Sequence, residues 1–257
     1  FFSESMTPRQ SFSSHPRIRD AAALGFTSSL GPFAANGIMP GFHAMAEDFG
    51  VSFVAVQQSL TIYLFTYAFF SLVAGSFSDS YGRRPTFIGG MLLFAAASIG
   101  AAFSQSLWAL YGWRLLQGIG AAVGQVVTQA IVRDNWSGPE AANVNGMIAF
   151  FFAAGPALAP VVGGQIVMLF GWHAVFLFLL VYSLSIAAFI YYRIPETLHA
   201  TDRSPFNLSA VCGNYAKGLT HGAFMTGVIA HGILFMGGIL YSAGSADFVI
   251  KVMGLDV

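Results

Sequence analysis

Residues 52–104 read SFVAVQQSLTIYLFTYAFFSLVAGSFSDSYGRRPTFIGGMLLFAAASIGAAFS, two apolar runs on either side of a short polar turn. A helix needs about 20 apolar residues to cross about 30 Å of hydrocarbon, and each run approaches that length. The turn is Gly75-Ser-Phe-Ser-Asp79-Ser-Tyr-Gly82-Arg83-Arg84-Pro85. Gly75 lets neighbouring backbones approach, and Gly82 can take the left-handed conformation that a tight helix exit needs. Pro85 starts the next helix where its missing N–H costs nothing. Asp79 with Arg83 and Arg84 sets opposite charges at the headgroup boundary, where the lower dielectric lets an ion pair act as a latch. The stretch reads as two antiparallel membrane helices joined by a charged turn.

The whole chain agrees with that reading. Apolar residues make up 56% of its 257 residues before the 29 glycines are counted, and charged residues only 9%, against roughly 25% in soluble domains. Eleven Lys and Arg balance eleven Asp and Glu, so there is no basic surface for nucleic acid. A single cysteine, Cys212, removes any disulfide framework or cysteine-based metal site. No metalloprotease or serine-hydrolase string occurs, so neither an enzyme nor a bound metal or cofactor is expected.

Working outward from the turn, seven spans are predicted, over 21–40, 52–75, 86–104, 107–131, 143–168, 173–192 and 222–243. The expected organisation is an N-terminal tail (1–20), a six-helix domain (21–193), an inter-domain loop (194–221) and the first helix of a second domain (222–257). Arg9, Arg17, Arg19, Arg83, Arg84, Arg133, Arg193, Arg203 and Lys217 fall on one side of these spans, while the opposite loops 41–50, 104–106 and 169–172 carry no Lys or Arg. Cytoplasmic loops retain Lys and Arg, so the tail and that side are placed in the cytoplasm.

An internal repeat is readable. Gly75, Gly82 and Phe87 have the same spacings as Gly164, Gly171 and Phe176, an offset of 89 residues that also puts Gly31 on Gly120. Each unit holds three spans, an odd number, so the two units run with inverted topology, as in many secondary transporters.

Two further strings stand out. The first is Arg114-Leu-Leu-Gln117-Gly118-Ile-Gly120-Ala-Ala-Val-Gly124 in the fourth span. An intramembrane charge is expensive and marks a functional site by default. Arg114, Gln117 and Gln125 share roughly one helical face, while Gly120, Gly124 and Thr128 form a small-residue ridge for close packing. The second string runs from Gly146 through Gly155, Pro156, Ala159 and Pro160 to Gly163 and Gly164 in the fifth span. The prolines are expected to bend that helix, and Gly155, Ala159 and Gly163 to form another ridge.

The turn, the Arg-x-x-Gln-Gly string and the fifth-span string, in this order, resemble the signatures of the major facilitator superfamily. Arg133-Asp134, Gly171-Trp172, Pro195-Glu196-Thr197-Leu198 and Tyr241-Ser-Ala-Gly-Ser245 narrow the likeness to the Bcr/CflA drug-resistance branch of proton-coupled exporters. The resemblance implies an all-α inner-membrane protein, of which this chain holds the first six-helix half and one helix of the second. A fragment is therefore expected, with Met6 as a plausible start and the remaining half as its partner. It implies a cytoplasmic gate at Gly75, Asp79, Gly82, Arg83 and Arg84. It also places proton coupling at Arg114, and an antiporter motif at Gly146, Gly155, Pro156, Pro160, Gly163 and Gly164, the 155–164 segment lying between the two halves.

One departure matters. Where the family commonly has an acidic residue in the first span, this chain has Asn36, and no predicted span holds an Asp or Glu away from its ends. Proton coupling is then left to Arg114 with Gln117, to His231, which can titrate near neutrality, or to the missing half. Substrate contacts are expected from Phe33, Asn36, Gln58, Tyr63, Gln117 and Gln125. The function implied is export of small drug-like or amphipathic compounds in exchange for protons. The alternatives are an uptake symporter of the same fold and a truncated, non-transporting membrane protein.

Overall fold

The computed structural model describes residues 18–230, together with 232, 233 and 236. Regular structure among them is helical and includes α1 (Ile18–Asn36), α2 (Phe42–Phe49), α3 (Phe53–Tyr81), α4 (Arg83–Ala102), α5 (Leu107–Asn135), α6 (Gly138–Phe170), α7 (His173–Arg193) and α8 (Leu208–Thr220), with 3₁₀ turns at Met39–Gly41 and Ala200–Asp202. The starts of α3 and α5 are set by serine caps. Ser52 Oγ accepts the N–H of Ala55 and Ser106 Oγ that of Ala109, each at 3.3 Å.

Five helices, α3 to α7, are long and apolar enough to cross a membrane. Helix α1 occupies the place of the first predicted span but is not among those five. It carries Arg19, Asp20, Asn36 and the run Thr27-Ser28-Ser29. Those hydroxyls are satisfied inside the protein: Thr27 and Ser28 donate to the carbonyls of Ala23 and Leu24, and Ser29 meets the Tyr182 hydroxyl at 2.6 Å. Helix α1 also ends at Asn36, four residues before the predicted end: Pro40 has no N–H to give the Asn36 carbonyl, and the chain continues as the 3₁₀ turn Met39–Gly41. Of the seventh predicted span, 222–230 is helical, and most of the remainder, including His231, lies outside the described residues.

Large apolar side chains face outward along these helices, among them Phe65, Trp108, Phe150, Met168 and Tyr192, each more than half exposed. So much outward apolar surface fits lipid or a second bundle rather than water. The packing follows the repeat. Helix α1 packs on α6, α5 packs on α3, and α4 packs on α7. Exchanging the two three-helix units swaps the first two pairings and returns the third to itself. Gly82 and Gly171 close α3 and α6 with φ of +100° and +77°, and Phe87 and Phe176 are fully buried.

Helix α5 is the most enclosed, and its glycines show why. A Cβ on Gly118 would lie 2.6 Å from the Tyr63 carbonyl of α3, and one on Gly120 2.6 Å from the Gly90 carbonyl of α4. Thr128, fully buried, turns its hydroxyl onto the Gly124 carbonyl at 2.8 Å. The expected ridge therefore seats α5 against α4.

The loop expected at 41–50 is mostly α2, an amphipathic helix that buries Phe42 and Met45. It is tied to the α6–α7 turn by Trp172, whose Nε1–H donates to Asp48 Oδ2 at 2.5 Å. The described chain forms two units that divide between Phe206 and Asn207. Residues 194–206, expected in the inter-domain loop, stay with the bundle because their polar groups pair with it. The second unit contains α8, after which the His221 N–H donates to the Gly218 carbonyl at 3.0 Å.

Candidate functional site

Charge is concentrated at the end of the bundle that carries Gly82. Arg83, whose side chain is only 10% exposed, is shared between two carboxylates. Its Nη1 donates to Asp79 Oδ1 and, at 2.6 Å, to Ser78 Oγ. Its Nε donates to Asp134 Oδ2 at the C-terminal end of α5, at 3.0 Å. Thr197 Oγ1 donates to the same Asp134 oxygen at 3.0 Å.

Above this pair lies Glu196. The first turn of α4 has backbone N–H groups with no partner in their own helix and the positive end of its dipole. Glu196 supplies the missing acceptor: Oε1 takes the N–H of Arg83 at 2.9 Å and Oε2 that of Arg84 at 3.3 Å. Its approach explains Gly82 doubly. The backbone there has positive φ, and a Cβ would sit 2.5 Å from Glu196 Oε2 and 3.0 Å from Arg203 Nη2. Arg84 adds a further tie, donating to the Tyr191 carbonyl with its guanidinium 4.8 Å from the Tyr191 ring centre. The ends of α3, α4, α5 and α7 and the segment after α7 thus converge on one clasp, which also contains the Ser204 N–H donating to the Asp79 carbonyl at 3.2 Å.

Asp134, Glu196, Ser78, Tyr191, Thr197, Arg203 and Ser204 were not among the predicted site residues. Asp134 and Glu196 stand in strings that carry the family resemblance, but spacing along a chain cannot show that positions 83, 134 and 196 meet.

The second cluster lies inside the bundle. Arg114 is fully buried. Its Nη1 donates to the Ala34 carbonyl at 3.2 Å and to Gln117 Oε1 at 3.0 Å. Gln117 Nε2 in turn donates to Ser98 Oγ at 2.8 Å. Ala34 is near the end of α1, where carbonyls lack helical partners and the dipole is negative, so this end offers Arg114 a partial counter-charge. The Arg114 guanidinium also lies 4.3 Å from the Tyr63 ring centre, and the Tyr63 hydroxyl donates to the Gly31 carbonyl at 2.9 Å. A desolvated cation–π contact of this kind contributes about 2 kcal/mol.

Of the remaining candidates, Tyr63 and Gln117 join Arg114 and the others do not. Phe33 packs against Phe178 and Tyr182 of α7, at ring distances of 5.4 and 6.1 Å. Asn36 turns its amide back onto the Pro32 carbonyl at 2.8 Å. Gln58 is exposed on α3, and Gln125 is half-buried with its Oε1 unpaired among the described residues. An open, largely apolar groove of about 650 Å³ runs between α3 and α5, lined by Thr61, Phe65, Phe69, Trp108, Tyr111 and Leu115 among others. Apolar faces of two helices reveal a groove only once their register is known, so sequence reading missed it.

Helix α6 runs unbroken from Gly138 to Phe170 through Pro156 and Pro160. Its small-residue ridge is already occupied. A Cβ on Gly155 would meet Pro32 Cβ at 3.2 Å, and one on Gly163 would overlap the Gly37 carbonyl oxygen of the chain after α1. Gly164 lies beside Pro40, and Gly146 has nothing within 4 Å. The exposed side of α6 carries Pro156, Leu158, Pro160 and Val161 instead.

Comparison with known proteins bears on the whole of this arrangement. The bicyclomycin resistance protein homolog of Haemophilus influenzae is 33% identical over 75% of this chain and 48% of its own length. Multidrug resistance protein D of Escherichia coli is 32% identical over 66% of this chain and 43% of its own. The chain thus spans about half the length of these curated relatives. A crystal structure of a mutant peptide transporter POT with alafosfalin shares the fold, with a TM-score of 0.62 at 19% identity over 95% of this chain and 53% of that one. Residues 24–257 match the Major Facilitator Superfamily, and with the six-helix bundle and its charged turn in place, the chain belongs to that family.

Proposed function

We propose that this chain is the first half, with the opening helix of the second, of an inner-membrane transporter that exports small amphipathic, drug-like compounds in exchange for protons by alternating access. The observation that carries this reading is the clasp in which Asp79 and Asp134 share Arg83 under the Glu196 cap. Directional charge pairs gathered at one end of an apolar bundle have a made and a broken state, which is what a gate requires. The names of the relatives support drug-like substrates. The apolar α3–α5 groove supports contact with such compounds, few polar groups being needed to orient an amphiphile.

Arg83, Arg84, Arg133 and Arg193 lie at the clasp end, which is assigned to the cytoplasm together with the N-terminus. The second half as partner follows the same reading, with the lipid bilayer as surroundings. With Asn36 in place of an acid, proton coupling is assigned to Arg114 and Gln117, with His231 as a further carrier.

The test is uptake into everted vesicles from cells producing the intact gene product and lacking their own exporters. Dye accumulation driven by a proton gradient, collapsed by a protonophore and lowered by Arg83→Ala, is expected. Gradient-driven movement in the opposite direction would make the protein an uptake symporter, and no gradient-linked movement would overturn the reading.

A further inference from the structure

Arg114 is the largest fully buried side chain among the described residues, and only one of its three nitrogens is used. Nη1 makes both hydrogen bonds, whereas Nε and Nη2 are buried without a partner among the described residues. No acidic side chain answers the charge there either: both ion pairs among the described residues belong to Arg83. The polar neighbours are already committed, Tyr63 to the Gly31 carbonyl and Gln117 to Ser98.

The unmet part of this guanidinium has a definite shape. The Tyr63 ring centre lies 4.3 Å from the guanidinium carbon, and Nη1 is held by Ala34 and Gln117, leaving the Nε–Nη2 edge. That edge presents two parallel N–H bonds, the geometry with which arginine grips a carboxylate side-on. In a low-dielectric interior, unpaired donors and an unbalanced charge are both costly. A neutral molecule meets the donors alone, while a carboxylate meets the donors and the charge together. The apolar groove lies on the outer side of the same stretches of α3 and α5, over Ile62, Thr66, Tyr111 and Leu115, and is not lined by the buried Tyr63, Arg114 or Gln117.

We infer that the Nε–Nη2 edge of Arg114, backed by Tyr63 and Gln117, is a subsite for a carboxylate borne by the transported molecule, so that acidic amphiphiles are among its substrates. The identity of the bearer rests on the transport reading above; the capture of a carboxylate does not.

The experiment uses the full 257-residue chain in nanodiscs of neutral lipid, titrated at constant ionic strength with 4-phenylbutyrate, its amide 4-phenylbutanamide, and chloride. Saturable binding and a raised unfolding temperature are expected with phenylbutyrate alone. Gln117→Glu places a carboxylate beside Nη1, where Ser98 can turn its hydroxyl to donate. It should weaken phenylbutyrate binding about ten- to a hundredfold while the ligand-free protein unfolds at a higher temperature. Arg114→Gln should abolish the phenylbutyrate response, and Gln117→Glu keeps the test decisive if Arg114→Gln fails to fold.

Equal binding of acid and amide would show apolar capture only and overturn the inference. So would an equal response to chloride, which would make the site one for inorganic anions, or undiminished binding by Gln117→Glu. Vesicle transport separates the two claims. Carboxylate-selective binding without gradient-driven transport would sink the exporter and leave the subsite standing. Transport of neutral amphiphiles without carboxylate-selective binding would do the reverse.

Discussion

Gly82 and Gly171, 89 residues apart in the chain, close α3 and α6 in the same way, each with a positive φ that leads directly into the next long helix. They differ in what surrounds them. A Cβ at Gly171 meets nothing within 4 Å, while one at Gly82 runs into Glu196 and Arg203. Gly171→Ala should therefore cost only the backbone strain, about 1–2 kcal/mol. Gly82→Ala should cost more, because it also displaces the carboxylate that caps α4. Unfolding midpoints of the two variants in the same detergent check this, and equal losses would mean that the Glu196 contact contributes little.

Glu196→Ala is expected to release the N-terminal turn of α4 while leaving its middle intact. The loss should be about 1 kcal/mol, the usual effect of removing a helix cap, with Glu196→Gln intermediate because its single carbonyl can still accept one N–H. Amide hydrogen exchange at Arg83, Arg84 and Thr86 is the direct readout. Protection unchanged in both variants would remove Glu196 from the clasp.

Gly163→Val and Gly146→Ala should behave oppositely. The first drives a side chain into the Gly37 carbonyl, where backbone must yield, and should destabilise the bundle by about 1–3 kcal/mol or more. The second adds a methyl in open space on α6 and should be neutral, or stabilising by up to about 1 kcal/mol through helix propensity. Thermal unfolding monitored by circular dichroism distinguishes them.

Gly112 lines the α3–α5 groove, and a Cβ there meets nothing within 4 Å. Gly112→Leu should fill part of the groove without straining the fold. The expected result is normal membrane insertion and thermal stability with reduced export of bulky amphiphiles, measured as dye retained by whole cells. Full export by a normally folded variant would take the groove out of the substrate path.

Much of the arrangement was readable in advance because the bilayer imposes simple rules. Five predicted spans reappear as α3 to α7, with ends displaced by several residues at most, since a run of about 20 apolar residues crossing hydrocarbon satisfies its backbone as a single long helix. The matched glycines located the repeat because only glycine suits the backbone at Gly82 and Gly171. Helix α2 was missed for the opposite reason: eight residues at the membrane edge are too short to obey the spanning rule. The docking of Thr197 onto Asp134 escaped notice because hydroxyls and carboxylates in loops have no periodicity to betray their partners.

The division between chain and fold is clearest at Arg114. The residue types, with an arginine and a glutamine one turn apart in an apolar run and Asn36 in place of an acid, were set by the amino-acid order alone, as were the helical hairpin and the one-sided arginines. Only the packed bundle decided that Tyr63 covers the guanidinium, that Ala34 and Gln117 take Nη1, and that one edge of the charge goes unanswered among the described residues. Spans arise from local partitioning between water and lipid, which composition encodes along the chain. Pairing depends on the rotation and register of helices brought together from distant positions, and these are settled by close contact at residues such as Gly118, Gly120 and Gly163.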